Sequence, residues 1–101
     1  MKKITIDGKE YEISCSAYSK FLYKKMFGSG MIQDINKLNK LTEETIDDGI
    51  DVLFQVTYIL ILMANPKFMS FEDFLKSISA INLSDPWVSE VTELAVDSFL
   101  G

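Results

Sequence analysis

The stretch KKITIDGKEYEIS, residues 2–14, gives the clearest structural prediction in the sequence. Apolar and polar side chains alternate along this stretch, which is the pattern of a half-buried β-strand, and Asp7 and Gly8 favour a turn at its middle. A two-residue or a four-residue loop would place the same apolar side chains on one face. Because a lone hairpin is unstable in water, we expect helices to cover that face. Its members are Ile4, Ile6, Tyr11 and Ile13.

Downstream of the hairpin, apolar residues recur at helical spacing. Residues 16–27 are expected to form a first helix, which the glycines at 28 and 30 end. Residues 31–41 carry apolar side chains at threefold spacing, which indicates either a short amphipathic helix or a loosely helical link. The chain therefore predicts a hairpin followed by four or five helices.

A long helix is expected from an N-cap at Thr42 to Ala64 or Asn65, because Glu43 and Glu44 suit the positive end of the helix dipole. The run from residue 58 to residue 64 is apolar all round. Such a run must be enclosed, either by this domain or by neighbouring subunits. We expect self-association or a partner helix to complete the burial, and we predict a homo-oligomer.

Two further helices are expected after the prolines. Ser70 followed by Asp73 resembles a capping box, and Asp85 followed by Pro86 suits the start of the last helix. The predicted fold class is therefore α+β and mainly helical, in one compact domain. Its expected boundaries are 1–14 for the hairpin, 15–101 for the helical part and 1–101 for the whole domain.

The first helix carries apolar side chains on both of its sides. Tyr23 and Phe27 lie four residues apart and form one aromatic patch, which is either a second packing face, the interpretation we favour, or an exposed contact surface. The opposite half is predicted to face the core. It holds Ala17, Tyr18, Phe21, Leu22 and Met26.

Charge and composition argue against several classes of partner. The formal net charge is −5 and all ten basic residues are lysines, so no arginine is present to read phosphates or guanines, and we expect no nucleic-acid partner. The long apolar run is shorter than the ~20 residues that cross a bilayer, so no membrane segment is expected. The single Cys15 and the charged N-terminal segment favour a reducing cytoplasm.

The sequence contains no recognisable catalytic or cofactor-binding motif. Histidine is absent, which removes the commonest general base and the commonest neutral metal ligand. An acidic cluster could in principle hold Mg²⁺ or Ca²⁺, but we interpret it as solvated helix surface or a handle for a basic partner. We therefore expect a protein that is not an enzyme and that has no cofactor or metal. The cluster consists of Glu43, Glu44, Asp47, Asp48 and Asp51.

Binding to another protein is the remaining class of function. Phe68, Met69 and Trp87 lie in the turns that flank the two prolines, where methionine and tryptophan are suited to partner surfaces. The same side chains could equally fill the core. Together with Tyr23 and Phe27, they are the candidate partner-binding residues.

The order of these features resembles the tail assembly chaperones of tailed phages and prophages of Gram-positive bacteria. The resemblance rests on KITIDGKEYEI at the hairpin, a Ser-Ala-Tyr helix, the acidic start of a long apolar helix, Asn-Pro, SFEDFL and a closing WVSEVTEL helix. It implies a small cytoplasmic protein that binds the tape measure protein, keeps it soluble during tail assembly and is absent from the mature virion. It implies no catalytic residues. The alternative function is an acidic regulator or inhibitor that blocks a nucleic-acid-binding protein.

Overall fold

The computed structural model describes residues 2–38, 40, 42–79 and 81–99 of the chain. An antiparallel hairpin is followed, among these residues, by five helices, which confirms the predicted α+β, mainly helical class. The globule measures about 34 × 30 × 24 Å. The elements are β1 (Lys2–Ile6), β2 (Lys9–Ile13), α1 (Ala17–Phe27), α2 (Met31–Leu38), α3 (Ile46–Ala64), α4 (Phe71–Ser77) and α5 (Pro86–Phe99).

The hairpin takes the two-residue loop of the two alternatives. Ile4 pairs with Tyr11, and the pair that closes the loop is Ile6 with Lys9. Asp7 and Gly8 have φ values of 54° and 81°, which is the conformation of a type I′ turn and follows the right-handed twist of the strands. The isoleucines at 4, 6 and 13 are buried, while the Tyr11 side chain is half-buried, so the predicted apolar face is confirmed.

Helix α3 is the central element of the core and packs against β2 and all four of the other helices. The backbone N–H of Ser14 donates to the carbonyl oxygen of Leu60 at 3.0 Å, which anchors the end of the hairpin to this helix. The side chains of residues 58–61 are buried, and those of residues 62–64 are half-buried. The domain itself therefore encloses most of the apolar run, and the expectation that a neighbouring subunit must complete its burial is wrong for residues 58–61.

The start of α3 corrects the predicted N-cap. Thr45 occupies the cap position and Glu43 and Glu44 lie in the preceding turn, so the helix begins at Ile46 and not after Thr42. The Thr42 backbone N–H donates to the Thr45 side-chain oxygen at 3.0 Å, and the Thr45 N–H donates to the Thr42 carbonyl at 3.1 Å. These two bonds close a turn that the spacing alone does not distinguish from helix. Leu41, at the predicted end of the second helix, lies outside the described residues.

The starts of the last two helices agree with the sequence, but α4 ends before Ile78 and Ile81, which continue its apolar spacing. The Ser70 side chain accepts a hydrogen bond from the Asp73 N–H at 3.2 Å, and α5 begins at Pro86. Helix α4 ends at Ser77 because the next turn is tied to the hairpin: the Asp7 carboxylate accepts from the Ser79 N–H at 3.0 Å and from its hydroxyl at 2.8 Å. These hydrogen bonds also lower the pKa of the Asp7 carboxyl below its ordinary value.

Candidate protein-binding site

No three Cys, Asp or Glu side chains of the described residues come close enough together to hold a metal ion. The carboxylates at the start of α3 are exposed, and Cys15 is half-buried. None of the helices in the described part of the chain is long and apolar enough to cross a membrane. The remaining candidate is a surface that binds another macromolecule.

Tyr23, one of the predicted partner-binding residues, lies in the core. Its side chain is 0% exposed, and its hydroxyl donates to the Asp34 carboxylate at 2.7 Å and lies 2.9 Å from the Gln55 amide oxygen. Ser29 also donates to the Asp34 carboxylate, and the Lys37 ammonium lies 3.6 Å from its second oxygen. Burial and the neighbouring carboxylate raise the pKa of Tyr23 above its ordinary value. This network joins α1, α2 and α3, so Tyr23 offers no partner surface.

Trp87 and Phe27 also pack inside the protein. Trp87 is 3% exposed and its ring centroid lies 6.4 Å from that of Phe54, so the interpretation as core is the correct one. Phe27 is half-buried, with its ring 5.1 Å from Tyr23 and 5.0 Å from Phe71. The second packing face predicted for the first helix is thereby confirmed.

Phe68 and Met69, at the turn between α3 and α4, behave differently from each other. The Phe68 ring is half-buried and lies 5.7 Å from Phe74 and 5.8 Å from Tyr11. Met69 is 40% exposed, and its carbonyl accepts a hydrogen bond from the Tyr58 hydroxyl at 2.8 Å. Among the five predicted residues only Met69 is exposed, so binding through Phe68 and Met69 stays a prediction.

The half of α1 that was predicted to face the core is instead the exposed half. Tyr18 is 55% exposed, Phe21 is 59% exposed and Met26 is 42% exposed, while Leu22 is half-buried between them. The rings of Tyr18 and Phe21 lie 5.7 Å apart and support each other at the surface. We refer to Tyr18, Phe21, Leu22 and Met26 as the α1 face.

A buried polar stripe explains this reversal. Ser19, Tyr23 and Phe27 are spaced four residues apart, and this stripe turns inward toward α3. The Ser19 hydroxyl accepts a hydrogen bond from the Ser16 N–H at 2.8 Å, and Tyr23 has its hydrogen bond to Asp34. Since both polar groups are satisfied, their burial costs little. A hydropathy pattern ranks serine as an outward residue and does not distinguish Tyr23 from Tyr18, so it does not predict this orientation.

The α1 face continues onto the end of α3. Tyr18 and Leu22 line a cleft of about 260 Å³ together with Leu62, Met63 and Pro66. The cleft joins two elements that the core already holds in place, since α1 and α3 pack directly on each other. Exposed aromatic side chains beside an apolar cleft form a contiguous patch, which is the usual mark of a protein-binding surface.

No family model, no curated protein and no solved structure matches this chain.

Proposed function

We propose that this protein is a tail assembly chaperone of a tailed phage or prophage. It binds the tape measure protein, a long helical protein, and keeps it soluble in the bacterial cytoplasm while the tail tube assembles; it is absent from the mature virion. The observation that carries this proposal is the exposed α1 face, which holds the two most exposed large apolar side chains of the described residues, Tyr18 and Phe21. The layout of hairpin and helices, which resembles that family, supports it.

The α1 face has the properties that binding to a long, aggregation-prone partner requires. Tyr18 and Phe21 supply rigid apolar area at small entropic cost, and Met26 supplies a flexible thioether that adapts to different partner surfaces. A chaperone of this kind must bind many similar segments along one chain. A shallow patch with an adaptable edge suits that task better than a deep, shape-selective pocket does.

The proposal includes self-association on the partner. One domain of this size covers only a short part of a long helical protein, so several copies must bind side by side. Contacts between neighbouring copies would then make binding cooperative. We therefore expect the free protein to form an oligomer. Light scattering measures the mass of that oligomer.

The alternative function is an acidic inhibitor of a nucleic-acid-binding protein. It is favoured by the exposed carboxylates at and before the start of α3, where Glu43, Glu44, Asp47 and Asp48 all face solvent. Such a protein would use charge, and not the α1 face, to hold its partner.

Co-expression with a tape measure protein tests the proposal. The partner to use is the long helical protein encoded next to this chain, and we expect a tail tube gene on the other side. The wild-type chain should keep this partner in the soluble fraction, whereas Tyr18→Ser combined with Phe21→Ser should leave it insoluble. Leu83→Ser is the matched control, because Leu83 is an exposed apolar residue that is not part of the α1 face.

Salt separates the two functions. A complex held by apolar contact should survive about 1 M salt, where the Debye length is only ~3 Å, whereas a complex held by carboxylates should dissociate. A partner that stays insoluble with the wild-type chain, in a trial where the chain itself is folded and abundant, would contradict the chaperone function.

A further inference from the structure

The charged residues of α1 are all lysines, although the protein as a whole is negative. Lys20, Lys24 and Lys25 are the only charged residues between Glu12 and Asp34 in the sequence. All three are exposed. Lys25 follows Phe21 by four residues and Leu22 by three, so it is a direct neighbour of both on the helix surface.

The other wall of the cleft shows the same sign of charge. Between Asp51 and Glu72 the only charged residue is Lys67, which directly follows the cleft residue Pro66 and is exposed. The ion pairs of the described residues use other lysines, namely Lys3, Lys37 and Lys76. Lys24, Lys25 and Lys67 are thus available to a partner, and we refer to these three lysines as the lysine rim.

An apolar cleft between two helical segments suits the apolar stripe of a third helix. Helix-in-groove recognition places side chains spaced three or four residues apart into such a cleft, while the flanking polar residues of the bound helix meet its rim. The residues at the edge of that stripe would here lie beside ammonium groups. Opposite charges at these positions favour the correct partner and speed its association, whereas like charges reject the wrong one.

We propose that the α1 face binds an amphipathic α-helix whose apolar stripe is flanked by Asp and Glu residues, which contact the lysine rim. This inference rests on the proposed function for the use of the α1 face in partner binding, and it adds the chemistry of the segments that are bound. It means that the chaperone selects acidic amphipathic segments of its partner and leaves basic ones free.

Other occupants fit the surface less well. A second copy of this chain has its acidic residues at the start of α3, but the apolar stripe that follows them, including Val52, Leu53 and Val56, is buried in its own core. An anionic membrane would meet a protein of net charge −5, and it would leave the concave cleft unfilled. A protein helix satisfies both the shape and the charge.

Two synthetic helices with the same leucine stripe provide the test, one flanked by Glu and the other by Lys. Titration into the isotopically labelled protein, followed by NMR, reports both the affinity and the residues that are contacted. We expect the Glu helix to bind about tenfold more tightly at low salt, because several exposed ion pairs of modest strength add up. In about 1 M salt the preference should shrink while binding itself persists.

Charge reversal on the rim supplies the decisive variant. Lys24→Glu combined with Lys25→Glu should reverse the preference between the two helices, whereas Lys9→Glu, at the far end of β2 from α1, should leave it unchanged. Circular dichroism and the urea midpoint establish that each variant is folded. Phe21→Ser should weaken the binding of both synthetic helices by about tenfold, since each complex loses one buried aromatic contact.

The outcomes separate this inference from the proposed function. Preference for the Glu helix without solubilisation of the tape measure protein supports the inference and removes the proposed function. A solubilised tape measure protein with no preference, or with preference for the Lys helix, overturns the inference alone. If neither helix binds, the inference is also overturned. This holds even if the α1 face then binds anionic phosphatidylserine vesicles, a single-stranded oligonucleotide or a second copy of the chain, which light scattering would show.

Discussion

Helix α1 carries two pairs of aromatic residues, of which one packs against the core and the other is exposed. Tyr23 and Phe27 pack in and against the core with their rings 5.1 Å apart, whereas Tyr18 and Phe21 lie at the surface with their rings 5.7 Å apart. Each pair consists of one tyrosine and one phenylalanine on the same helix, so hydrophobicity does not separate them. The difference lies in what the remainder of the fold offers to each tyrosine.

The hydroxyl group of Tyr23 decides which pair is buried. Asp34 from α2 and Gln55 from α3 both lie within 3 Å of it, at 2.7 and 2.9 Å, so a buried tyrosine is satisfied there. Tyr18 is 55% exposed, so water can reach its side chain. One aromatic pair thereby contributes to the stability of the fold, and the other stays exposed at the surface.

The largest effect should come from truncating the two tyrosines in turn. Tyr23→Ala removes a fully buried ring and leaves the Asp34 carboxylate without one of its donors, so we expect a loss of about 3 to 5 kcal/mol in the free energy of unfolding. Tyr18→Ala should change it by no more than about 0.5 kcal/mol, as for other surface positions. Urea denaturation measures both, and equal losses would contradict the comparison.

A smaller effect should follow from removing only the hydroxyl group of Tyr23. Tyr23→Phe leaves the buried Asp34 carboxylate short of one hydrogen bond, which should cost about 1 to 3 kcal/mol of stability. The matched variant Tyr18→Phe should be neutral. If Tyr23→Phe unfolds at the same urea concentration as the wild type, the hydrogen bond to Asp34 contributes nothing to the burial of this pair.

The stability of the protein should also fall at alkaline pH because of Tyr23. Its pKa in the folded state is raised above the ordinary value of 10.0, so the folded state keeps a proton that the unfolded chain releases. This contribution is complete below pH 10.0 and is lost as the pH rises above it. Burial raises the pKa of Tyr58 in the same direction, so Tyr23→Phe should reduce the pH dependence without abolishing it. The urea midpoint of the wild type and of Tyr23→Phe, measured at several alkaline pH values, shows how steeply the stability of each protein falls with pH.

The smallest effect on stability should come from the α1 face. Phe21→Ser removes an apolar ring that is 59% exposed, so the free energy of unfolding should stay within about 0.5 kcal/mol of the wild type. The same substitution should reduce aggregation of the free protein, because it shrinks an exposed apolar patch. A large loss of stability would show that Phe21 packs inside the protein and is not a contact residue.

The hairpin was predictable from the sequence because its pattern has one solution. Side chains alternate with a period of two, so moving the register by one residue would expose Ile4 and Ile13 together and bury charged neighbours. Helix starts at Ser70 and Pro86 were also predictable, since the groups that cap them are local. The Asp7–Gly8 turn belongs to the same class of short-range signals.

The orientation of α1 was not predictable, because apolar residues surround the helix and the choice depends on distant partners. Asp34 and Gln55 lie 11 and 32 residues after Tyr23, and no local pattern links them to it. The α1 face was missed for the same reason. Lysines placed directly among its aromatic residues were the one local signal, since Lys24 and Lys25 would be costly to bury in the predicted orientation.

Hydrogen–deuterium exchange of the complex with a helical partner tests the central claim most directly, because it shows which backbone segments the partner covers. We expect slower exchange in residues 17–27 and in residues 62–67 once the tape measure protein or the acidic helix is bound, with exchange in α4 and α5 unchanged. Slower exchange in α4 or α5, with α1 exchanging as in the free protein, would contradict the assignment of the α1 face as the binding surface.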